Sequence, residues 1–190
     1  MTVMIYKDGV FAADTASFVD TMRISVAIKK IVRAKSGALI GGAGKWSYVQ
    51  MFQAWDEGRG EGQPPRATDD HENFGGIVVH PDGTVIEYMH DMEAVDITHC
   101  GWAHEGDGFE FCFALHTLGW SAEQIVAHAI KYCVWAGGEV YSLRLEDAPE
   151  DSAEVHPEVI EDVEEAPAGL SFAVRPDPAV RRFLTERGLE

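Results

Sequence analysis

The chain has 190 residues, enough for one compact domain with a sizeable core. Its hydrophobic share of 46% is ordinary for a soluble globular protein, and its formal net charge of −17 presents no basic surface to nucleic acid. No apolar run approaches the roughly 18 residues of a membrane-spanning helix, and residues 1–8 lack the basic-then-apolar layout of a signal peptide, so a cytoplasmic protein with no membrane partner is expected. The cysteines, Cys100, Cys112 and Cys133, are odd in number and form no CxxC pair, which argues against a disulfide framework or a cysteine zinc site. Their apolar flanks predict buried, reduced thiols.

The first segment reads as a hairpin. Val3-Met4-Ile5-Tyr6 and Val10-Phe11-Ala12-Ala13 flank Lys7-Asp8-Gly9, and Asp-Gly between apolar runs is a strong short-range hairpin signal. With Asp8-Gly9 as the two-residue loop, Lys7 faces Val10 and Val3 comes opposite Asp14. Thr2 then falls beside Asp14 and Thr15. A second strand pair is expected over residues 24–28 and 31–35, turning at Lys29-Lys30. Ala38-Leu39-Ile40 is expected to run into a glycine-rich turn, Gly41-Gly42-Ala43-Gly44. After it Tyr48, Met51, Phe52 and Trp55 recur at helical spacing. Residues 58–73, polar and rich in Gly and Pro, read as a loop. Residues 74–79 and 84–88 form another predicted hairpin around His80-Pro81-Asp82-Gly83. A short strand near residues 96–101 precedes Gly106-Asp107-Gly108. Helices are expected over 109–118 and 121–135, the second opened by the capping signature of Ser121 with Gln124 and ended by Gly137-Gly138. Residues 139–145 read as a strand.

These elements predict one domain over residues 1–145. Residues 146–168 read as an acidic, Pro-containing flexible linker: the run 146–165 holds ten acidic residues and no Lys or Arg. Residues 169–190 follow, with a short helix expected over 177–189. Antiparallel strands in runs, with helices grouped between them, point to an α+β layered fold.

The chemistry gathers at the start of the chain. A threonine hydroxyl is not ionised near neutral pH and needs a base within hydrogen-bond reach. Once Met1 is removed, the α-amine of Thr2 can serve, since an unperturbed α-amine titrates near ~8. A nearby ammonium lowers that value and keeps the amine neutral. Lys30 is the candidate ammonium, Asp14 its partner, and the backbone N–H of Gly44 a candidate oxyanion donor. Each residue also has a plain structural reading: Asp14 as a strand-end cap, Lys29-Lys30 as a solvated pair, and Gly41 to Gly44 as a tight connection. The eight histidines form neither HxxxH nor HExxH, so no metal site and no cofactor are expected. Trp46, Trp55, Trp102, Trp120 and Trp135 are expected in the core or at subunit contacts.

Taken together, these segments resemble a known family. Tyr6-Lys7-Asp8-Gly9-Val10-Phe11-Ala12-Ala13-Asp14 is similar to the opening hairpin of proteasome β-subunits and of the bacterial HslV-type peptidase. Ile28-Lys29-Lys30-Ile31 resembles their lysine strand, and Leu39-Ile40-Gly41-Gly42-Ala43-Gly44 the glycine turn before their first helix. Gly106-Asp107-Gly108 resembles their Gly-Ser-Gly turn, and Ser121-Ala122-Glu123-Gln124-Ile125 the start of the next helix. The likeness runs from Thr2 to about Leu145, and the start, with threonine directly after Met, resembles a short bacterial and phage-encoded branch. It implies an N-terminal-nucleophile (Ntn) hydrolase fold, a four-layer αββα sandwich of two antiparallel sheets flanked by helices. It further implies hydrolysis of peptide or unfolded-protein substrates and a homo-oligomeric ring, and leaves open an ATPase partner that the sequence does not identify. Carried over, Thr2 is nucleophile and base, Asp14 and Lys30 the tuning pair, and Gly44 the oxyanion donor. Asp107 stands where the family has a serine. An aspartate there either holds the amine protonated or orients it with a bridging water. A non-catalytic ring or structural assembly protein is the second reading.

Overall fold

A computed structural model describes residues 2–19, 22–25, 27–57 and 74–147. Met1, the loop expected over residues 58–73, nearly all of the acidic linker and the expected terminal helix lie outside the described residues.

The opening hairpin forms in the register its turn demands. Strand β1 (Val3–Lys7) pairs antiparallel with β2 (Val10–Asp14), with Lys7 opposite Val10 and Met4 opposite Ala13. Asp8 and Gly9 both adopt positive φ, 50° and 78°, as a type I′ loop requires. Both faces of this hairpin are buried. Met4, Tyr6, Phe11 and Ala13 face one way, and Val3, Ile5 and Ala12 the other. The hairpin is thus an inner layer.

Two sheets pack face to face, and the hairpin forms the centre of the first. The first has the order β10-β1-β2-β11, where β10 is Trp102–Gly106 and β11 is Val140–Arg144. The second has the order β5-β6-β7-β8-β9, built from Ile31–Arg33, Leu39–Ala43, Gly75–Val79, Val85–Tyr88 and Ala94–Asp96. Their strand pairs are antiparallel. Met4 and Phe11 of the first sheet meet Ile31, Leu39 and Ile77 of the second. Helix α1 (Trp46–Glu57) closes the outer face of the second sheet through Tyr48, Val49 and Phe52. Helices α2 (Phe109–Thr117) and α3 (Ala122–Tyr132) cover the first, through Cys112, Ile125, Val126 and Ala129. The layers run helix, sheet, sheet, helix. Helix α3 starts where its capping box sets it: Gln124 N–H donates to Ser121 Oγ at 3.2 Å, and Ser121 N–H to Gln124 Oε1 at 3.0 Å. None of the helices among the described residues is long and apolar enough to cross a membrane.

Several expectations are corrected. Lys29-Lys30 is no hairpin turn. Strand β4 (Met22–Ser25) pairs back with β3 (Ser17–Val19) in a separate two-stranded sheet, and β5 begins only at Ile31. Gly41, Gly42 and Ala43 form no turn, because β6 runs through them and the chain bends at Gly44. These glycines make room. A Cβ on Gly41 would lie 2.6 Å from the Phe11 ring and 2.9 Å from Ile31 Cγ2, and one on Gly42 would press on Val49 at 3.1 Å. The strand expected near residues 96–101 is split into β9 and a 3-10 turn, Thr98–Cys100, and the strand that matters more, β10, follows it. Helix α3 stops at Tyr132, since Cys133 is extended. Of the cysteines only Cys112 is buried; Cys133 is half-buried and Cys100 exposed.

The closeness of the two sheets at Gly41 is testable. Gly41→Ala is expected to destabilise the domain by about 1–3 kcal/mol through overpacking against Phe11 and Ile31. Urea unfolding of the variant beside the wild type measures it, and an unchanged midpoint would contradict the packing.

Candidate active site

The hairpin register places Asp14 at the end of β2, where its fully buried carboxylate collects donors from three segments. Val3 N–H donates to Oδ1 at 2.9 Å, Lys30 Nζ donates to Oδ1 at 2.7 Å, and Gly137 N–H donates to Oδ2 at 3.1 Å. Gly137 returns its carbonyl to Ala16 N–H at 3.1 Å, and Glu139 N–H donates to Thr15 Oγ1 at 2.8 Å. The end of β2 is thereby bound to the turn that leads into β11.

Lys30 is buried, 4% exposed, while its neighbour Lys29 points outward over the Tyr141 ring at 5.2 Å. Gln53 of α1 fixes the lysine's backbone, donating Nε2 to the Lys30 carbonyl at 3.2 Å. Burial pulls the Lys30 pKa down, and the charge and hydrogen bond of Asp14 and the charge of Asp107 push it up; the net shift is downward. The pull of Asp107 on this ammonium makes the two neighbours.

Thr2 is buried, 7% exposed, and is clasped by Asp107. Thr2 N–H donates to Asp107 Oδ2 at 3.0 Å, and Asp107 N–H donates to the Thr2 carbonyl at 2.7 Å. This reciprocal pair needs a turn that only glycines permit. Gly106 and Gly108 sit at φ 97° and 79°, and a Cβ on Gly106 would lie 2.1 Å from the Thr2 carbonyl oxygen. A Cβ on Gly108 would strike the Trp135 ring at 2.1 Å.

Thr2, Asp14, Lys30 and Asp107 therefore form one linked group, joined through Val3 and through the charges of Lys30 and Asp107. Gly44, at φ 119° and exposed, follows β6 at the same end of the sandwich. Its neighbour Ala43 pairs with Gly75, and a Cβ on Gly75 would lie 2.0 Å from a carboxyl oxygen of Glu105, the residue before Gly106. The hydrogen bonds of the group do not extend to Gly44 among the described residues. A cleft of 340 Å³ lined by Asp8, Val10, Pro81, Arg144 and Glu146 lies at the turn end of the hairpin and holds none of these residues. Among the described residues no three His, Cys, Asp or Glu side chains are placed to hold a metal ion.

Glu105, beside Gly106 at this end of the sandwich, is a residue that the sequence did not flag, because β10 was not recognised as a strand. Alternation along β10 sends Ala103 and Glu105 between the sheets and Trp102 toward the helices. Burial raises the Glu105 carboxyl to about 7, the charge of Glu87 adds to the rise, and the Gly106 N–H opposes it. Since the folded value exceeds the ordinary 4.5, the folded chain holds this proton more tightly than the unfolded one. The associated stability is full below about 4.5 and is lost as pH rises through about 7. Urea unfolding from pH 5 to 8 is expected to show the wild type losing about 2 kcal/mol relative to Glu105→Gln, within the at most ~3 kcal/mol that the shift permits. Parallel stability curves for the two proteins would contradict it.

No protein-family model and no curated protein matches the sequence. Solved structures do resemble the fold. BPH of Thiobacillus denitrificans aligns at TM-score 0.51 and 13% identity, covering 77% of this chain and 99% of that one. The same protein in complex with epoxomicin aligns at 0.51 and 14%, with the same coverage. Eukaryotic HslV of Trypanosoma brucei aligns at 0.54 and 15%, covering 75% and 97%. With its two antiparallel sheets between helical layers, the chain has the α+β sandwich of these neighbours, the Ntn-hydrolase fold.

Proposed function

We propose that this chain is a proteasome-like threonine peptidase subunit that hydrolyses peptide bonds in peptide or unfolded-protein substrates. The observation that carries the reading is the buried Asp14–Lys30 pair, held one residue from a buried Thr2 through the Val3 amide. With Met1 removed, the nitrogen of Thr2 becomes a primary amine beside its own hydroxyl. The amine takes the hydroxyl proton, directly or through a water, while Oγ1 attacks the substrate carbonyl carbon. The carbonyl oxygen becomes an oxyanion, for which the Gly44 N–H is the proposed donor. Collapse breaks the C–N bond, the protonated amine gives its proton to the leaving nitrogen, and an ester on Thr2 remains. Water activated by the same amine hydrolyses the ester. Lys30 disfavours a second positive charge at the terminus, and Asp14 holds Lys30 in place.

A homo-oligomeric ring in the cytoplasm belongs to the same reading. The exposure of Phe109, Phe113, Leu118, Tyr132 and Val134 supports contacts between copies, because these large apolar side chains cluster along and just beyond α2 and α3.

The Asp107 clasp favours a second reading, a non-catalytic ring protein. A carboxylate 3.0 Å from the Thr2 nitrogen would raise the affinity of a freed amine for its proton and weaken it as a base. Intact mass and epoxomicin labelling separate the two. The peptidase reading expects a chain that lacks Met1, an epoxomicin adduct on Thr2, and complete loss of both adduct and peptidase activity in Thr2→Ala. A chain that retains Met1 and stays unlabelled leaves the non-catalytic reading. For the active protein, Asp107→Ser is expected to move the acid limb of the labelling rate to lower pH by about one unit, since a carboxylate beside the amine is lost. A limb that stays in place or moves to higher pH would show that Asp107 does not control the amine.

A further inference from the structure

His104 has no part in the group described so far, yet it lies two residues before Gly106 on the edge strand β10. It faces the helical layer, like Trp102, with Ile5 opposite it in β1. Its ring reaches forward over the turn, and Nε2 lies 3.2 Å from the Asp107 carbonyl oxygen. A carbonyl only accepts, so the contact assigns the proton to Nε2. The edge of Phe109, the first residue of α2, braces the ring at 5.7 Å and 75°. Burial lowers the imidazole pKa, against the hydrogen bond with Asp107 and the charges of Asp107 and Glu110, so the ring is neutral near pH 7.

We infer that His104 is a positioning residue for the chain terminus: it fixes the Gly106-Asp107-Gly108 turn so that the Asp107 carboxylate meets the nitrogen of Thr2. The argument is one of constraint. Two glycines at positive φ flank Asp107, and glycine loses more conformational freedom on folding than any other residue. A turn built this way stays in one conformation only if its peptide groups are tied. The Asp107 N–H is tied to the Thr2 carbonyl, and the Asp107 carboxylate to Thr2 N. The Gly108 carbonyl accepts from Cys112 N–H as α2 begins. The Asp107 carbonyl is tied by His104. Removing that donor frees the peptide between Asp107 and Gly108 to rotate and to carry the carboxylate with it.

The consequence for activity rests on the peptidase reading; the positioning does not, and the two are measured separately. In the full chain, amide exchange at Asp107 by NMR reports the turn, and the epoxomicin labelling rate at Thr2 reports the terminus. His104→Leu is expected to speed exchange of the Asp107 amide about five-fold, the scale of one lost hydrogen bond, and to move the acid limb of the labelling rate to lower pH, the direction expected for Asp107→Ser. His104→Gln places an amide N–H where Nε2 stood and is expected to restore both. His104→Asn places its donor nearer the strand, where Nδ1 stood, and is expected to behave like His104→Leu. Unchanged exchange in His104→Leu overturns the inference, as does equal behaviour of the Gln and Asn variants. If His104→Leu does not fold, the Gln and Asn variants decide alone. If the wild type takes no label, the peptidase reading fails while the exchange rates still judge the role of His104.

Discussion

The carboxylate of Asp14 is the point on which the candidate site depends. A fully buried carboxylate is tolerable only with partners, and the cost of leaving one unpaired is several kcal/mol. The fold must therefore deliver the Val3 amide, the Lys30 ammonium and the Gly137 amide to one place. These come from the first strand, from the segment before β5 and from the turn before β11. Satisfying one charge aligns the chain terminus, the buried lysine and the last strand of the first sheet. The arrangement beside Thr2 follows from this requirement, since Thr2 directly precedes the residue whose amide Asp14 takes.

Glycine has the same organising role where backbones must meet. Gly41 and Gly75 let side chains of the first sheet, Phe11 and Glu105, press on the backbone of the second. Gly42 and Gly76 do so for Val49 and Phe52 of α1 on the other face. Gly106 admits the Thr2 carbonyl. The residues that shape the site are thus as often those that lack a side chain as those that bring one.

These features differ in how far the sequence exposes them. The opening hairpin was legible because the Asp8-Gly9 turn sets the register and the register places Asp14 beside Val3. Helix α3 was legible from its capping box. Lys30 was visible as a candidate, but Lys30 and Ile31 are both buried while Lys29 is exposed, so strand alternation does not select it over Lys29, and the expected hairpin at that pair obscured it. Gly41 to Gly44 misled because glycine serves turns and close packing alike, and only the partner atoms tell which. Strand β10 was missed because Trp102-Ala103-His104-Glu105 puts a His and a Glu where an ordinary strand pattern has apolar residues. The clasp of Thr2 spans 105 residues of sequence, and no local pattern announces a pair at that distance. It was the resemblance of Gly106-Asp107-Gly108 to a known turn that brought Asp107 into view at all.

The charge balance around Thr2 bears on how the proposed chemistry would run. Asp14 and Asp107 are two carboxylates, and Lys30 is one ammonium acting on both. In a processed chain the freed amine supplies the second cation. The protonated terminus is then the electrically balanced state, Asp14 with Lys30 and Asp107 with Thr2. Deprotonating the amine removes a positive charge from beside Asp107, so the base form is reached at a cost that a serine at this position would not impose. Attack on the carbonyl returns the proton to the amine, which again faces Asp107 as an ammonium, while the negative charge passes to the oxyanion. Asp107 therefore opposes the free base but favours the ammonium that must give a proton to the leaving nitrogen. Lys30 weights the balance of these two effects toward the free base by repelling the ammonium.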